Sequence, residues 1–164
     1  MTISFNLSAH AIMQEIYAAS ALRCIDSGKN AKSLPPILSR DNSAALLLLV
    51  KDAFAFVVMK FIAHVEACNL NDETPSYSND TNNSDEMILS VDIRMGSYIP
   101  ASVAGAMRVA LEHAIAAYAL HISYIGHDDE TSHAYLSIAN DEVESFRQSI
   151  SMRQFNTPTI TPRY

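Results

Sequence analysis

Apolar and polar positions change rhythm along this chain in a way that separates two short strands from four helices. Ile3, Phe5 and Leu7 alternate with Thr2, Ser4 and Asn6, the period of a half-buried strand. Ser8 is placed to cap a helix over residues 9–26, with Ile12, Ile16, Ala19 and Leu22 or Arg23 along one side. Gly28 is a natural stop for it, and Pro35-Pro36 makes residues 29–40 a loop or one irregular turn. From a cap at Asp41, Asn42 or Ser43, a second helix is predicted to run to about Cys68.

That second helix contains the run AALLLLVKDAFAFVVMKFIA over residues 44–63. A helix apolar around most of its circumference must be covered on nearly every side, so the run predicts a central core helix. A membrane span needs ~20 mainly apolar residues, and a central charge costs ~2.5–3.5 kcal/mol. Lys51 and Asp52 fall near the middle of this run and Lys60 near its end. The mean hydropathy of the chain is only +0.06. No membrane association is expected.

Residues 69–86 hold five acidic side chains, no Lys or Arg, and many Asn and Ser. They read as a flexible acidic surface loop. The second alternation follows: Leu89, Val91, Ile93 and Met95 on one face, Ser90, Asp92 and Arg94 on the other. Gly96-Ser97 breaks that strand, and Pro100 suits the first turn of a third helix over about 100–125. Its many alanines, among them Ala110, Ala114, Ala116, Ala117 and Ala119, predict close helix–helix contact. Gly126 ends it, and Asp128 or Asp129 can cap a fourth helix over about 129–153. The stripe of that helix is Tyr135, Leu136, Ile138 or Ala139, Val143, Phe146 and Ile150. Pro158 and Pro162 leave residues 154–164 as an extended tail. The two strands can pair with each other beside the helices, or with strands of another subunit.

The fold class that follows is mainly α: a four-helix bundle-like domain with a minor two-strand β element, over residues 1–153, and a C-terminal tail. The length of 164 residues and an apolar share of 49% suit one domain with a real core. A net charge of −7 argues against a nucleic-acid coat, which needs a basic face. Cys24 and Cys68 lack metal-pair spacing and read as small buried hydrophobes, with a disulfide left open. No signal peptide opens the sequence, which implies an intracellular origin.

Candidate chemistry is sparse. Glu130 and His133 have the E-x-x-H spacing of carboxylate-bridged di-metal bundles, but Glu112-His113 are adjacent and give no second such pair. His113 and His121, eight apart, lie on nearly the same side of the third helix. A metal-dependent bundle enzyme would use Glu130, His133, His113 and His121. The simpler reading is a dipole-favoured acid in a first helical turn, with solvated or partly exposed histidines. Arg108 and Glu112 read as an i,i+4 surface pair, and Met13, Met59 and Met107 as core. Catalytic, cofactor and metal residues are therefore expected to be none.

Three stretches, SVDIRMGSYIPASVAGAMRVALEHAIAAYALHISYI, DDETSHAYLSIANDEVESFRQSISMRQ and TPTITPRY, carry a resemblance in their order of elements. A strand leads through an extended junction into two helices and a short Pro-containing tail. This arrangement resembles small, mainly helical proteins encoded among the head–tail and tail virion-assembly genes of tailed bacteriophages and prophages. The resemblance implies a structural or adaptor role, in a virion or the bacterial host cytoplasm. It implies self-association or other virion proteins as partners, and it carries no catalytic motif; no cofactor is expected, and the acidic charge balance argues for no nucleic acid. Tails in that group are often basic, whereas only Arg153 and Arg163 stand near this one. Phe155, Pro158 and Ile160 are the residues expected to act as an exchanged arm between subunits. The rival functions are the metal-dependent enzyme above and a regulatory module holding a ligand between the third and fourth helices.

Overall fold

The computed structural model describes residues 2–26, 34–68, 87–95 and 101–151. The acidic loop 69–86 and the tail 154–164, with Phe155, Pro158 and Ile160, lie outside the described residues, as do Gly28 and the 96–100 junction. The elements run β1 (Thr2–Ser8), α1 (Ala9–Asp26), α2 (Ser43–Met59), β2 (Val65–Cys68), β3 (Ile88–Arg94), α3 (Ala101–Tyr124) and α4 (Asp129–Ser151). Short 3-10 turns at Pro36–Leu38, Arg40–Asn42 and Ile62–His64 connect them. Mainly α with minor β is the architecture. α3 packs most extensively against α4, and also against α1 and α2.

Local signals set most helix ends. The Ser8 hydroxyl accepts from the Ala11 amide at 3.1 Å, and the Asp128 carboxylate accepts from the Thr131 amide at 3.1 Å. Gly126 ends the α3 turn with φ of +77°, a left-handed conformation that glycine adopts without steric cost. The α2 cap differs from expectation. Asn42 stands at the N-cap, but its side chain donates to the Pro36 carbonyl at 2.7 Å and makes no cap hydrogen bond to α2.

Three expectations are corrected. α2 ends at Met59 rather than near Cys68, and Val65–Cys68 forms a third strand. The sheet therefore has three strands rather than two, in the order β1-β3-β2, both pairings antiparallel. The physical reason is the backbone of β3, whose second edge would be unpaired without β2. The central helix is α3 rather than α2. Ala114, Ala116 and Ala119 are at most 2% exposed, so three neighbouring helices come close to one axis. α2 buries one face through Leu46, Val50, Ala53, Phe54, Val57 and Val58, while Leu48 and Met59 stay 66% and 61% exposed.

The alternations hold. Phe5 and Leu7 of β1 and Leu89, Val91 and Ile93 of β3 turn to the core. Glu66 ties the far end of the sheet, accepting from the Thr2 hydroxyl and from the Arg94 guanidinium at 2.6 Å. Both contacts hold the Glu66 carboxyl below its ordinary range. Between sheet and helices stands Phe146 of α4, 1% exposed. Its ring lies 5.8 Å from Phe5 and 4.9 Å from Phe61, joining three elements far apart in sequence. Phe146→Ala is expected to cost about 3–5 kcal/mol, the range for removing a buried aromatic ring. Urea unfolding followed by circular dichroism measures it.

Candidate functional site

The residues expected to carry chemistry are scattered. Glu130 and His133 are exposed on the first turns of α4. His113 stands mid-way along α3, with Nε2 3.5 Å from Glu15 of α1 and Nδ1 3.9 Å from Glu142 of α4. Burial raises the Glu15 pKa and Glu112 and Glu142 add to the rise, against the attraction of His113. The result is a half-exposed charge cluster spanning three helices. Arg108 and Glu112 form the expected i,i+4 pair at 3.3 Å, worth about 0.2–0.5 kcal/mol. Among the described residues no three His, Cys, Asp or Glu side chains are grouped to hold a metal ion, and no disulfide joins Cys24 to Cys68.

His121 has a different surrounding. Its Nδ1 lies 3.0 Å from the Ser132 carbonyl and 2.8 Å from the Ser132 hydroxyl. That hydroxyl in turn lies 3.0 Å from the His121 carbonyl. A carbonyl only accepts, so the shortest consistent assignment puts the proton on Nδ1 and sends the serine proton to the His121 carbonyl. An imidazole nitrogen that donates toward serine cannot take its proton. The pair is therefore a two-way brace between α3 and α4 and not an activated nucleophile.

Beside the brace, Arg23 at the end of α1 donates to the Thr131 hydroxyl at 2.9 Å. Thr131 is 1% and Ser132 3% exposed, so both polar groups are buried with their partners made. Arg23 is itself exposed but reaches across to α4, while Leu22 is 63% exposed. The Tyr124 and Tyr135 rings stack at 5.9 Å. Burial, then the nearby Tyr135 and Cys24, push the Tyr124 phenol up to about 12. Sequence reading missed Ser132, although its signal was present. The buried series Ala139, Val143, Phe146 and Ile150 steps back at helical spacing through Tyr135 to Ser132.

Two cavities and one surface complete the candidate sites. A cleft of about 490 Å³ between α1 and the start of α2 is lined by His10, Gln14, Tyr17, Arg40 and Ser43, among others. The Tyr17 hydroxyl is buried there and has no hydrogen-bond partner among the described residues. A groove of about 620 Å³ separates β1 from the first turns of α3. The surface is the outer side of α2, where Leu48, Ala55 and Met59 recur at helical spacing with exposed Asp52 between them, and Ile62 follows, 52% exposed. Beside it Phe56 stacks on Tyr118 at 3.9 Å, with the Lys60 ammonium 4.5 Å from the Phe56 ring centre. Met59, expected in the core, belongs to this outer side.

By length and composition alone, Arg40–Met59 and Val103–Tyr124 are apolar enough to cross a membrane, a test that core helices also pass. Comparison with protein-family models, curated proteins and solved structures finds no match for the chain.

Two measurements follow from the brace and its neighbours. Ser132→Ala and His121→Ala should each destabilise the protein by about 1 kcal/mol. Because they break one unit, the double variant should cost clearly less than the sum in chemical denaturation. Tyr124 keeps its proton longer when folded, so its contribution to stability is intact below pH 10 and lost as pH rises toward about 12. Ultraviolet titration should show one tyrosine ionising near pH 12, absent in Tyr124→Phe.

Proposed function

We propose that this is a non-enzymatic structural or adaptor protein that works through subunit association. The observation that carries the reading is the outer side of α2. Leu48 and Met59 of α2, and Ile62 in the turn that follows it, are each more than half exposed, while the opposite side of the helix forms the core. Single exposed apolar residues are ordinary, but three of them along one side of the molecule mark a surface that gains by losing water. The partner is a second copy of the chain, through a symmetric helix-to-helix contact. The order of strand, two helices and tail further supports a role among phage or prophage virion-assembly proteins, with virion or host cytoplasm as its place. The imidazole best placed for chemistry, His121, is occupied as a brace.

A second reading, a small ligand-binding module, is favoured by the α1–α2 cleft. There the Tyr17 hydroxyl, unpartnered among the described residues, stands near Arg40 and the start of α2, whose N-cap side chain makes no cap hydrogen bond. Native mass spectrometry of the purified protein would show a retained small molecule under this reading.

Sedimentation velocity over a wide concentration range tests the leading one. Wild type should form a defined oligomer, and a Leu48→Asp, Met59→Asp variant should be monomeric with an unchanged circular dichroism spectrum. A wild type that stays monomeric throughout overturns self-association.

A further inference from the structure

The open edge of β1 carries an inference that stands apart from the association proposed above. Ala9 N–H donates to the Met87 carbonyl at 3.0 Å, continuing the β1–β3 register in which Leu7 faces Leu89 and Phe5 faces Val91. Hydrogen-bonded pairs in an antiparallel ladder recur every second residue. Phe5 and Leu7 therefore spend their backbone groups on β3, while those of Ser4 and Asn6 point away from it. Among the described residues, neither Ser4 nor Asn6 has a backbone partner on that outer side. The groove of about 620 Å³ lies there, between this edge and Ala104, Gly105, Arg108 and Val109 of α3.

The far wall of the groove has the character of a place kept clear for a strand. A Cβ at Gly105 would meet nothing within 4 Å, although glycine costs a helix interior about 1 kcal/mol relative to alanine. Val109 is 44% exposed above the same space. An unpaired edge beside an open apolar wall is the arrangement that strand addition uses.

We infer that residues 157–161 of the chain's own C-terminal segment dock antiparallel on the free edge of β1, against α3. Two independent features of that segment agree. The first is its donor inventory. Thr157, Thr159 and Thr161 have N–H groups, and alternate residues of a strand point these the same way. Pro158 and Pro162 fall on the other parity, where a missing N–H faces outward and no ladder bond is lost. The second is side-chain parity. Directly opposed residues share a face, so the threonines would lie with the polar Ser4 and Asn6. Pro158, Ile160 and Pro162 would lie on the core face with Phe5, over Gly105 and Val109. A parallel docking would set the threonines level with Phe5 and lose this match.

Proximity selects the chain's own segment over another copy's. Phe146, just over one turn from the end of α4, touches Phe5 in the middle of β1. Residues 152–156 can span roughly 16 Å when extended. A short tether gives millimolar effective concentration, which another molecule must exceed to compete. With the outward proline positions lacking donors, the docked segment would also close this edge of the sheet to further strands.

Amide hydrogen exchange by NMR on the full chain tests this. Ser4 and Asn6 amides should exchange at least about tenfold slower than unprotected amides, at a rate unchanged over about 100-fold dilution. Thr159 is the threonine common to either two-pair register. Thr159→Ala keeps the N–H and should keep the protection, whereas Thr159→Pro should abolish it. Gly105→Leu, filling the groove, should abolish it too. Phe5 and Leu7 amides, bonded to β3, should stay protected in every variant, which separates undocking from unfolding. Unprotected Ser4 and Asn6 in the wild type, or protection indifferent to Thr159→Pro, overturns the inference. Protection lost on dilution also overturns it, because a second molecule then supplies the strand.

Discussion

Close approach of three helices to α3 is the constraint on which the rest of this structure depends. The alanines of α3 let α1, α2 and α4 come near one axis, and Met107, Leu111, Ile115 and Leu120 fill the space between them. Overfilling such a site forces strained rotamers and backbone shifts. With α3 enclosed, α2 takes a side position. Its outer residues are then left to solvent, even though its sequence is the most apolar in the chain.

The same enclosure sets the place of the sheet. Parallel α1 and α3, seen in Glu15 beside His113 and Arg23 near the α3–α4 turn, put β1 at the first turns of α3. Phe146 then meets Phe5 and Phe61 at that end. The sheet is covered on its core face but open at its edges: among the described residues β3 is paired on both sides, and β1 and β2 each on one. The open edge of β1, with its groove, and the outer side of α2 are where interaction is to be sought.

Polar groups inside the bundle serve orientation. The His121–Ser132 brace and the Arg23–Thr131 bond fix how α1, α3 and α4 meet at the turn end. Each buried donor or acceptor there has its partner, so these groups specify one alignment of helices that apolar contact alone would leave free to slide. At the opposite charge cluster the geometry is looser. Contacts of 3.5 and 3.9 Å between half-exposed groups are screened by water and hold little in place.

Periodicity by itself determined the four helices, the two alternating strands, the Ser8 and Asp128 caps and the Gly126 stop, because each rests on neighbours within a few residues. The i,i+4 pair of Arg108 and Glu112 was legible for the same reason. Val65–Cys68 was not, since only the unpaired edge of β3 makes it a strand. Nor was the exchange of α2 for α3 at the centre. Hydropathy measures how much a helix gains by burial, whereas the central place goes to the helix whose small side chains let the others in. Of the candidate site residues, spacing grouped Glu130, His133, His113 and His121, but helix crossing sent them to separate neighbours. A partner such as Ser132, eleven residues from His121 across a turn, exists only once two helices have packed.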